Sequence, residues 1–453
     1  MSHPQPPLIA FHGDDFTGST AVMEVLTFNG LPTILYLGLP DDEQTKRHAG
    51  YRGIGIAGIA RSQTPQWMRE NLPPVYAALA STGAPILHYK TCSTLDSAPH
   101  VGSIGTAIEI ALETLRTGWI PFLVAAPAIR RFQAFGNLFA GYGDGIHRLD
   151  RHPVMSRHPV TPMDEGDVRR HLARQTDLPV GLVDLVSMKT GAAAARLESE
   201  LAGGARIIAL DTVDAETLAI AGALVARAME EQGQTFCVGS QGIEYALCAH
   251  LQATGRLQTP QETPRAAATD CLPVVSGSVS PVTASQIAWA EANGFAVIGL
   301  DAARAVDIDA WNAEIESGIM QALAAIGQGL SPLVCTARGP DDPAVERLNT
   351  AIAGCDERAV HHRIGSGLGR ILLGIVERTG LRRVVISGGD TSGHGISEFG
   401  IYALEALAPI APGAPLCRAF SDRPDLTGLE VALKGGQMGE TGFFGAVRAG
   451  GAP

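Results

Sequence analysis

PLIAFHGDDFTGST, residues 7–20, is the stretch from which the rest of the chain is read. An unbroken apolar run at 7–11 stops at a glycine and two acids, and a helical pattern follows from about residue 18. That order describes a strand feeding a helix through a tight turn, with polar side chains gathered at the strand's carboxyl end. The run is apolar throughout rather than alternating, as expected of a strand covered on both faces.

The same unit recurs outward from this point. Strand-like runs stand at 33–37, 53–57, 85–89, 121–125, 206–210 and 235–238, and helical patterns at 18–29, 64–80, 102–117, 164–175 and 214–232. Such alternation predicts βαβ units and a largely parallel sheet. Residues 251–273 hold three prolines and little periodicity, and read as a linker. The pattern then restarts, with strands at 273–276, 295–299, 332–336 and 383–387 and helices at 281–293, 308–326, 366–379 and 395–407. The expected architecture is α/β: two α/β domains, 1–255 and 270–453, each with a largely parallel sheet, and an active-site cleft between them.

Composition narrows the function classes. Of 453 residues, 45% are apolar and 18% charged, which excludes a disordered chain. Lys+Arg 34 against Asp+Glu 46 gives a net charge of −12 with no basic stripe, so no nucleic-acid partner is expected. A small anionic substrate is compatible, because a local pocket can oppose the net charge. The seven cysteines are scattered without a C-x-x-C, which argues against a zinc cluster or a disulfide framework. The charge-free stretches 271–290 and 318–337 are broken by Pro, Gly, Ser and Gln, so no membrane span is expected. The first residues lack a basic-then-apolar leader pattern, and a cytoplasmic location is the expectation.

Three groups of residues suggest chemistry. In GDDFTGST (13–20), Asp14 and Asp15 could orient sugar hydroxyls, bind a metal or accept a proton from an attacking hydroxyl; the plain alternative is a helix cap. In YKTCSTLDSAPHVGSIG (89–105), Lys90, Ser93, Thr94 and Asp96 share one loop, and the Gly/Ser end opens a helix whose free N–H groups suit an anion. The C-terminal half holds four Gly/Ser loops: VVSGSVSPVT (274–283), RIGSGLGR (363–370), ISGGDTSGHG (386–395) and LKGGQMGETGFFG (433–445). Their backbone N–H groups suit phosphates; Asp390 could position Mg²⁺, and Lys434 could neutralise a phosphoryl oxygen. A literal G-x-G-x-x-G at Gly53, Gly55 and Gly58 lies inside a strand-like run and reads as a decoy.

Taken together and in order, GDDFTGST, YKTCSTLDS…GSIG, RHPVTPMDEGDVRRHLARQT (157–176), GSQGIEYAL (239–247), SGSVSPVTASQ (276–286) and SGGDTSG (387–393) resemble the four-carbon acid sugar kinase family over nearly the whole chain. The CST-x-DS pattern is closest to its 3-oxo-tetronate kinase branch; a related branch acts on the branched five-carbon 3-oxo-isoapionate. The resemblance implies an N-terminal sugar-acid-binding domain and a C-terminal nucleotide-binding domain. It implies transfer of the ATP γ-phosphoryl group, with Mg²⁺, to a terminal hydroxyl of a small sugar acid: a phosphotransferase with an alcohol acceptor. Asp14 and Asp15 then fall on the catalytic side, and Lys90, Ser93, Thr94 and Asp96 on the substrate side. Ser276, Ser278, Ser366, Gly388, Gly389, Asp390, Thr391, Gly435 and Gly436 fall on the ATP side. Two stretches depart from the family pattern. APAIRRFQAFGNLFA (126–140) replaces a Pro-x-x-x-Gly-Arg stretch, so that Arg130 or Arg131 stands in for its arginine, and KGGQMG (434–439) replaces Lys-Ser-Gly-Asn-Phe-Gly. From the residues themselves, a sugar-acid phosphatase and a cytosolic sugar-acid sensor stay open, as does a homo-oligomer.

Overall fold

The structure, a computed structural model, describes residues 6–158 and 160–451, with the backbone but not the side chain of Asp390. The chain divides into two compact units, Met1–Gln261 and Glu262–Pro453.

In the first unit the strands are β1 (Ile9–Gly13), β2 (Thr33–Tyr36), β3 (Gly53–Ile56), β4 (Ile86–Lys90), β5 (Ile120–Leu123), β6 (Arg131–Ala134), β7 (Asn137–Tyr142), β8 (Gly145–Arg148), β9 (Val180–Val183), β10 (Ile207–Leu210) and β11 (Thr235–Gly239). Eight of them lie in the order β2-β3-β1-β4-β11-β5-β10-β9, and every pairing among these eight is parallel. β1, β4 and β11 are buried along their whole length, as both faces are covered by helices. The chain leaves β1 toward β2 on one side and, after β3, crosses to β4 on the other. β1 and β4 therefore flank a topological switch point, where the loops diverge and leave a crevice at the carboxyl ends. The register brings Gly13, Lys90 and Gly239 level at that edge. Gly53 and Gly55 lie on β3, where a side chain would strike Thr33 and Phe11; these glycines serve strand packing, not a nucleotide. β6, β7 and β8 form a separate antiparallel sheet that the sequence reading did not anticipate.

The second unit contains β12 (Val274–Ser276), β13 (Phe295–Gly299), β14 (Ser331–Cys335), β15 (Arg383–Ser387), β16 (Ile401–Ala411), β17 (Ala414–Ser421) and β18 (Glu430–Lys434). Their order is β13-β14-β12-β15-β18-β17-β16, parallel from β13 to β18 and antiparallel thereafter. β12 connects toward β13 on one side, and β14 connects to β15 on the other, so β12 and β15 flank this unit's switch point.

Three local readings are corrected. The helix expected at 395–407 ends at Ser397; Gly400 turns at φ +58, and β16 begins at Ile401. Its IYALEALAPIA has helix-forming residues, but sheet pairing outweighs their propensity. The Gly/Ser loop expected at 363–370 is the middle of a helix, Glu357–Thr379, which is capped by Asp356 and begins nine residues before the start expected at 366. Its glycines allow close packing: side chains at Gly365, Gly367 and Gly369 would meet His394, Trp311 and the Gly395 backbone. The helix expected at 164–175 shrinks to Val168–Leu172, because Asp167 caps it.

Candidate active site

The first crevice is built where β1 runs into the helix Phe16–Phe28. Asp15 caps that helix, its Oδ1 accepting from the Gly18 amide at 2.8 Å. The bland reading of Asp15 is thus realised, but its carboxylate does more than cap. Arg61 donates to Asp15 Oδ1 and Oδ2 at 2.7 and 2.8 Å and to Asp14 Oδ1 at 2.8 Å, so one guanidinium binds both acids. Asp14 is 2% exposed. Burial pushes its carboxyl above the usual carboxylate range and Asp15 adds to the rise, against the pull of Arg61 and Lys90. Burial works against the Arg61 charge, but Asp14 and Asp15 outweigh it and hold the guanidinium protonated. Lys90, at the end of β4 and 2% exposed, rests its ammonium 2.7 Å from the Thr91 carbonyl. A side chain at Gly18 would run into both the Asp15 carboxylate and Lys90 Nζ, so this glycine keeps the cradle open.

Arg61 is the residue that the sequence reading missed. It sits in a short 3-10 turn, Ala60–Ser62, with no motif to mark it. Its only local signal is an arginine soon after a strand that ends beside β1.

Around the crevice, three segments lock together. Thr94 Oγ1 meets Cys92 Sγ at 3.1 Å. Asp96 accepts a short hydrogen bond from Thr161, whose hydroxyl also meets His158 Nδ1 at 2.9 Å. His171 and Gln175 hold Ser97, at 2.8 and 3.1 Å. The 157–176 motif thus buttresses the 91–97 loop, and Asp96 is spent on that contact. The helix opening at 102–105 is not free for an anion: Ser103 accepts from Thr106 N, and Gln175 Oε1 from Gly105 N. Among the described residues, the non-glycine positions with φ above zero are Leu95, Arg130 and Phe135, all in these flanking segments. Backbone strain of that kind persists where the surroundings over-determine a site.

The two arginines of the departing stretch part ways. Arg130 donates to the Gly143 and Gly145 carbonyls of the β7–β8 turn at 2.6 and 3.0 Å. Among the described residues the Arg131 guanidinium hydrogen-bonds the backbone carbonyls of Ile129 and Arg130, and its buried Nε has no partner. Burial lowers its guanidinium below the usual value, and no carboxylate among the described residues pairs with it. Both Arg61 and Arg131 lie within electrostatic reach of the Cys92 thiol. The structure therefore gathers Asp14, Asp15, Lys90 and Arg61, and Arg131, at the start of β6, is linked to them through Cys92.

In the second unit, three of the four Gly/Ser segments converge at the carboxyl ends of β12, β15 and β18. Side chains at Gly277 and Gly388 would both meet Thr391, and one at Gly436 would meet Ser278. Gly388, at φ +130, opens the helix Gly389–Ser397. Ser280 and Thr283 both hydrogen-bond the Gly436 carbonyl. Ser276, 0% exposed, ends β12 beside Ser387 of β15. Ser366 lies inside the long helix, whose Leu368 stands against Gly277 and whose Gly365 faces His394 of the helix Gly389–Ser397. The side chain of Asp390 lies outside the described residues.

Lys434 ends β18 among them and is 1% exposed. Among the described residues its ammonium is held by neutral oxygens: Ser387 Oγ and Gly435 O at 3.1 Å and Thr283 Oγ1 at 3.2 Å. Burial lowers its pKa to about 8. A buried cation without a carboxylate is costly to keep charged, and an anionic ligand removes the cost. Among the described residues no group of three or more His, Cys, Asp or Glu could hold a metal, and no helix is long and apolar enough to cross a membrane.

Comparison with known proteins adds the following. Residues 9–247 match the family model of a sugar-binding N-terminal domain, and residues 274–444 that of a nucleotide-binding C-terminal domain. Over 447 residues the chain is 45% identical to 3-oxo-isoapionate kinase of Paraburkholderia graminis, covering 98% of this chain and 94% of that one. It is 31% identical to 3-oxo-tetronate kinase of Methylobacterium radiotolerans, covering 95% and 96%. Solved structures of a Salmonella typhimurium protein (TM-score 0.80, 24% identity, 97% and 98% covered) and a Haemophilus influenzae protein (0.75, 24%, 97% and 99%) share the fold.

Proposed function

The chain belongs to the four-carbon acid sugar kinase family, and from that premise we propose that it is an ATP-dependent kinase acting on a terminal hydroxyl of 3-oxo-isoapionate, a branched five-carbon sugar acid. The choice of acid is supported by 45% identity to a 3-oxo-isoapionate kinase against 31% to a 3-oxo-tetronate kinase. The observation that carries the reading is Lys434, a buried ammonium with no carboxylate partner among the described residues, amid three Gly/Ser loops. It makes a second anion site in a unit of its own, which neither a phosphatase nor a sensor for the acid requires.

ATP, when bound, supplies the phosphoryl group and Mg²⁺ the countercharge among its phosphates. On the nucleotide side, we assign the backbone N–H groups of Gly389 and Gly436 and the hydroxyls of Ser276, Ser278 and Thr391 to phosphate oxygens; the Gly388 amide is spent on the Lys434 carbonyl and the Gly435 amide on Met438 Sδ, so these two glycines serve by leaving room for the phosphates. Lys434 neutralises them, Asp390 would hold Mg²⁺ when it is bound, and Ser366 contributes a further hydroxyl from its helix. On the acid side, Asp14 and Asp15 orient the acceptor hydroxyl and take its proton. Burial raises the basicity of the Asp14 carboxylate, and Arg61 fixes both carboxylates. Lys90 and Arg131 face the substrate carboxylate, and Ser93 and Thr94 offer hydrogen bonds to its hydroxyls. Arg130, engaged on backbone carbonyls, is left out of that role. A cytoplasmic location belongs to the proposal, since ATP is its co-substrate.

A coupled ADP-release assay with Mg²⁺-ATP against linear and branched sugar acids tests this. We expect kcat/KM on 3-oxo-isoapionate at least about tenfold above that on 3-oxo-tetronate, a difference worth about 1.4 kcal/mol of transition-state binding. Silence on every acid together with no thermal shift by ATP overturns the kinase reading.

A further inference from the structure

The GSQGIEYAL stretch (239–247) has no task in the site above. Its one acid, Glu244, sits on the helix Gly242–Ala253. Glu244 and His88 of β4 are both 0% exposed, and Glu244 Oε1 stands 2.5 Å from His88 Nδ1. The other ring nitrogen, Nε2, lies 3.2 Å from the Gly239 carbonyl and carries the hydrogen there, because a carbonyl only accepts. The same carbonyl accepts from the Thr91 amide at 2.6 Å. Thr91 in turn offers its own carbonyl to the Lys90 ammonium at 2.7 Å. An unbroken series of contacts thus runs from the buried acid to the ammonium at the switch point.

A buried acid–histidine pair contributes little to stability on balance, and apolar residues of the same volume often do as well. Here Glu244 Oε2 also lacks a partner among the described residues, which adds to the desolvation cost. What the pair does achieve is geometric. It grips the carbonyl of Gly239, the last residue of β11, and so the first residue beyond β4. We propose that Glu244 and His88 are positioning residues for Lys90, acting through Gly239 and Thr91. The functional weight of this inference rests on the reading that Lys90 faces the acid substrate.

Hydrogen exchange on the full chain without ligand tests it, in wild type, Glu244→Leu and Glu244→Gln. Glu244→Leu should speed exchange of the Thr91 amide by about tenfold or more, leave β10 and the second unit unchanged, and raise KM for the acid by a similar factor with KM for ATP unmoved. Glu244→Gln, which can still hydrogen-bond His88, should remain near wild type in both readouts. If the Leu variant does not fold, Glu244→Asp, withdrawn by one methylene, carries the same comparison. Unchanged exchange over 88–96 in a folded Leu or Asp variant overturns the proposal, as does a Gln variant that loosens the loop equally. Faster exchange in a chain that phosphorylates no acid keeps the positioning role and takes down the kinase reading instead.

Discussion

At the scale of single residues, the two units present their charges in opposite ways. Asp14 and Asp15 share a buried guanidinium, whereas Lys434 has only neutral partners among the described residues. Asparagine caps a helix as well as aspartate does, so Asp15→Asn removes the charge without removing the cap. If Asp15 takes the proton, that change should lower kcat by about 10²–10⁴-fold and leave the Kd for ATP within about twofold. Near wild-type turnover would pass the role of base to Asp14. Lys434 gives a pH signature. Its folded pKa, about 8, lies below the unfolded 10.5, so its neutral form favours folding above that range and the benefit is lost as pH falls through about 8. A bound phosphate reverses the preference. ATP affinity should therefore weaken as pH rises above about 8, by up to about tenfold per unit, with proton uptake on binding. Calorimetry in buffers of different ionisation heat reads that uptake directly, and Lys434→Met should abolish both effects. The pair Asp14–Asp15 was legible in the sequence because it follows a strand-like run, and Lys434 because it opens a Gly/Ser segment. Arg61 was not, because a single arginine in a turn carries no pattern.

At the scale of elements, what the sequence shows is period, and what it hides is competition. RIGSGLGR has the composition of a phosphate loop, yet in the structure it is a helix whose glycines admit neighbours. Glycine reports only that a side chain is absent; whether a ligand or another helix fills the space is a tertiary fact. The contrast can be measured. Gly369→Ala would press a methyl against the Gly395 backbone and should cost about 1–3 kcal/mol, lowering Tm by several degrees. Gly327→Ala, at the end of the helix Ile308–Gly327 with open space around it, should be neutral or stabilise by up to about 1 kcal/mol. Equal effects from both would reject the packing account. The segment after Gly400 teaches the same lesson: Ala, Leu and Glu favour a helix, but pairing along β17 makes it a strand. The β6–β8 sheet was missed because its strands are short and only half-buried, so their alternation is faint.

At the scale of the whole molecule, each unit has its own parallel sheet and its own switch point. If the two sites bind as proposed, ligand footprints should segregate. ATP should slow hydrogen exchange over 276–283, 387–392 and 434–438, and the sugar acid over 13–20, 61–63 and 90–96. An ATP footprint on 90–96 alone would reverse the assignment of the units. The sequence by itself determined the parallel α/β core of each unit, because apolar runs alternate with helical periods and strands buried on both faces read as unbroken apolar runs. It also determined the family, through six motifs in a fixed order. Only the tertiary structure decided which polar residues meet. Arg61 reaches Asp14 and Asp15 from a different strand's loop, and Glu244 reaches His88 across 156 residues. Which Gly/Ser segments converge was decided there too. The reason is physical: periodicity is written between neighbours in the chain, whereas a site is made by strand order, and strand order is set by packing between elements far apart in sequence.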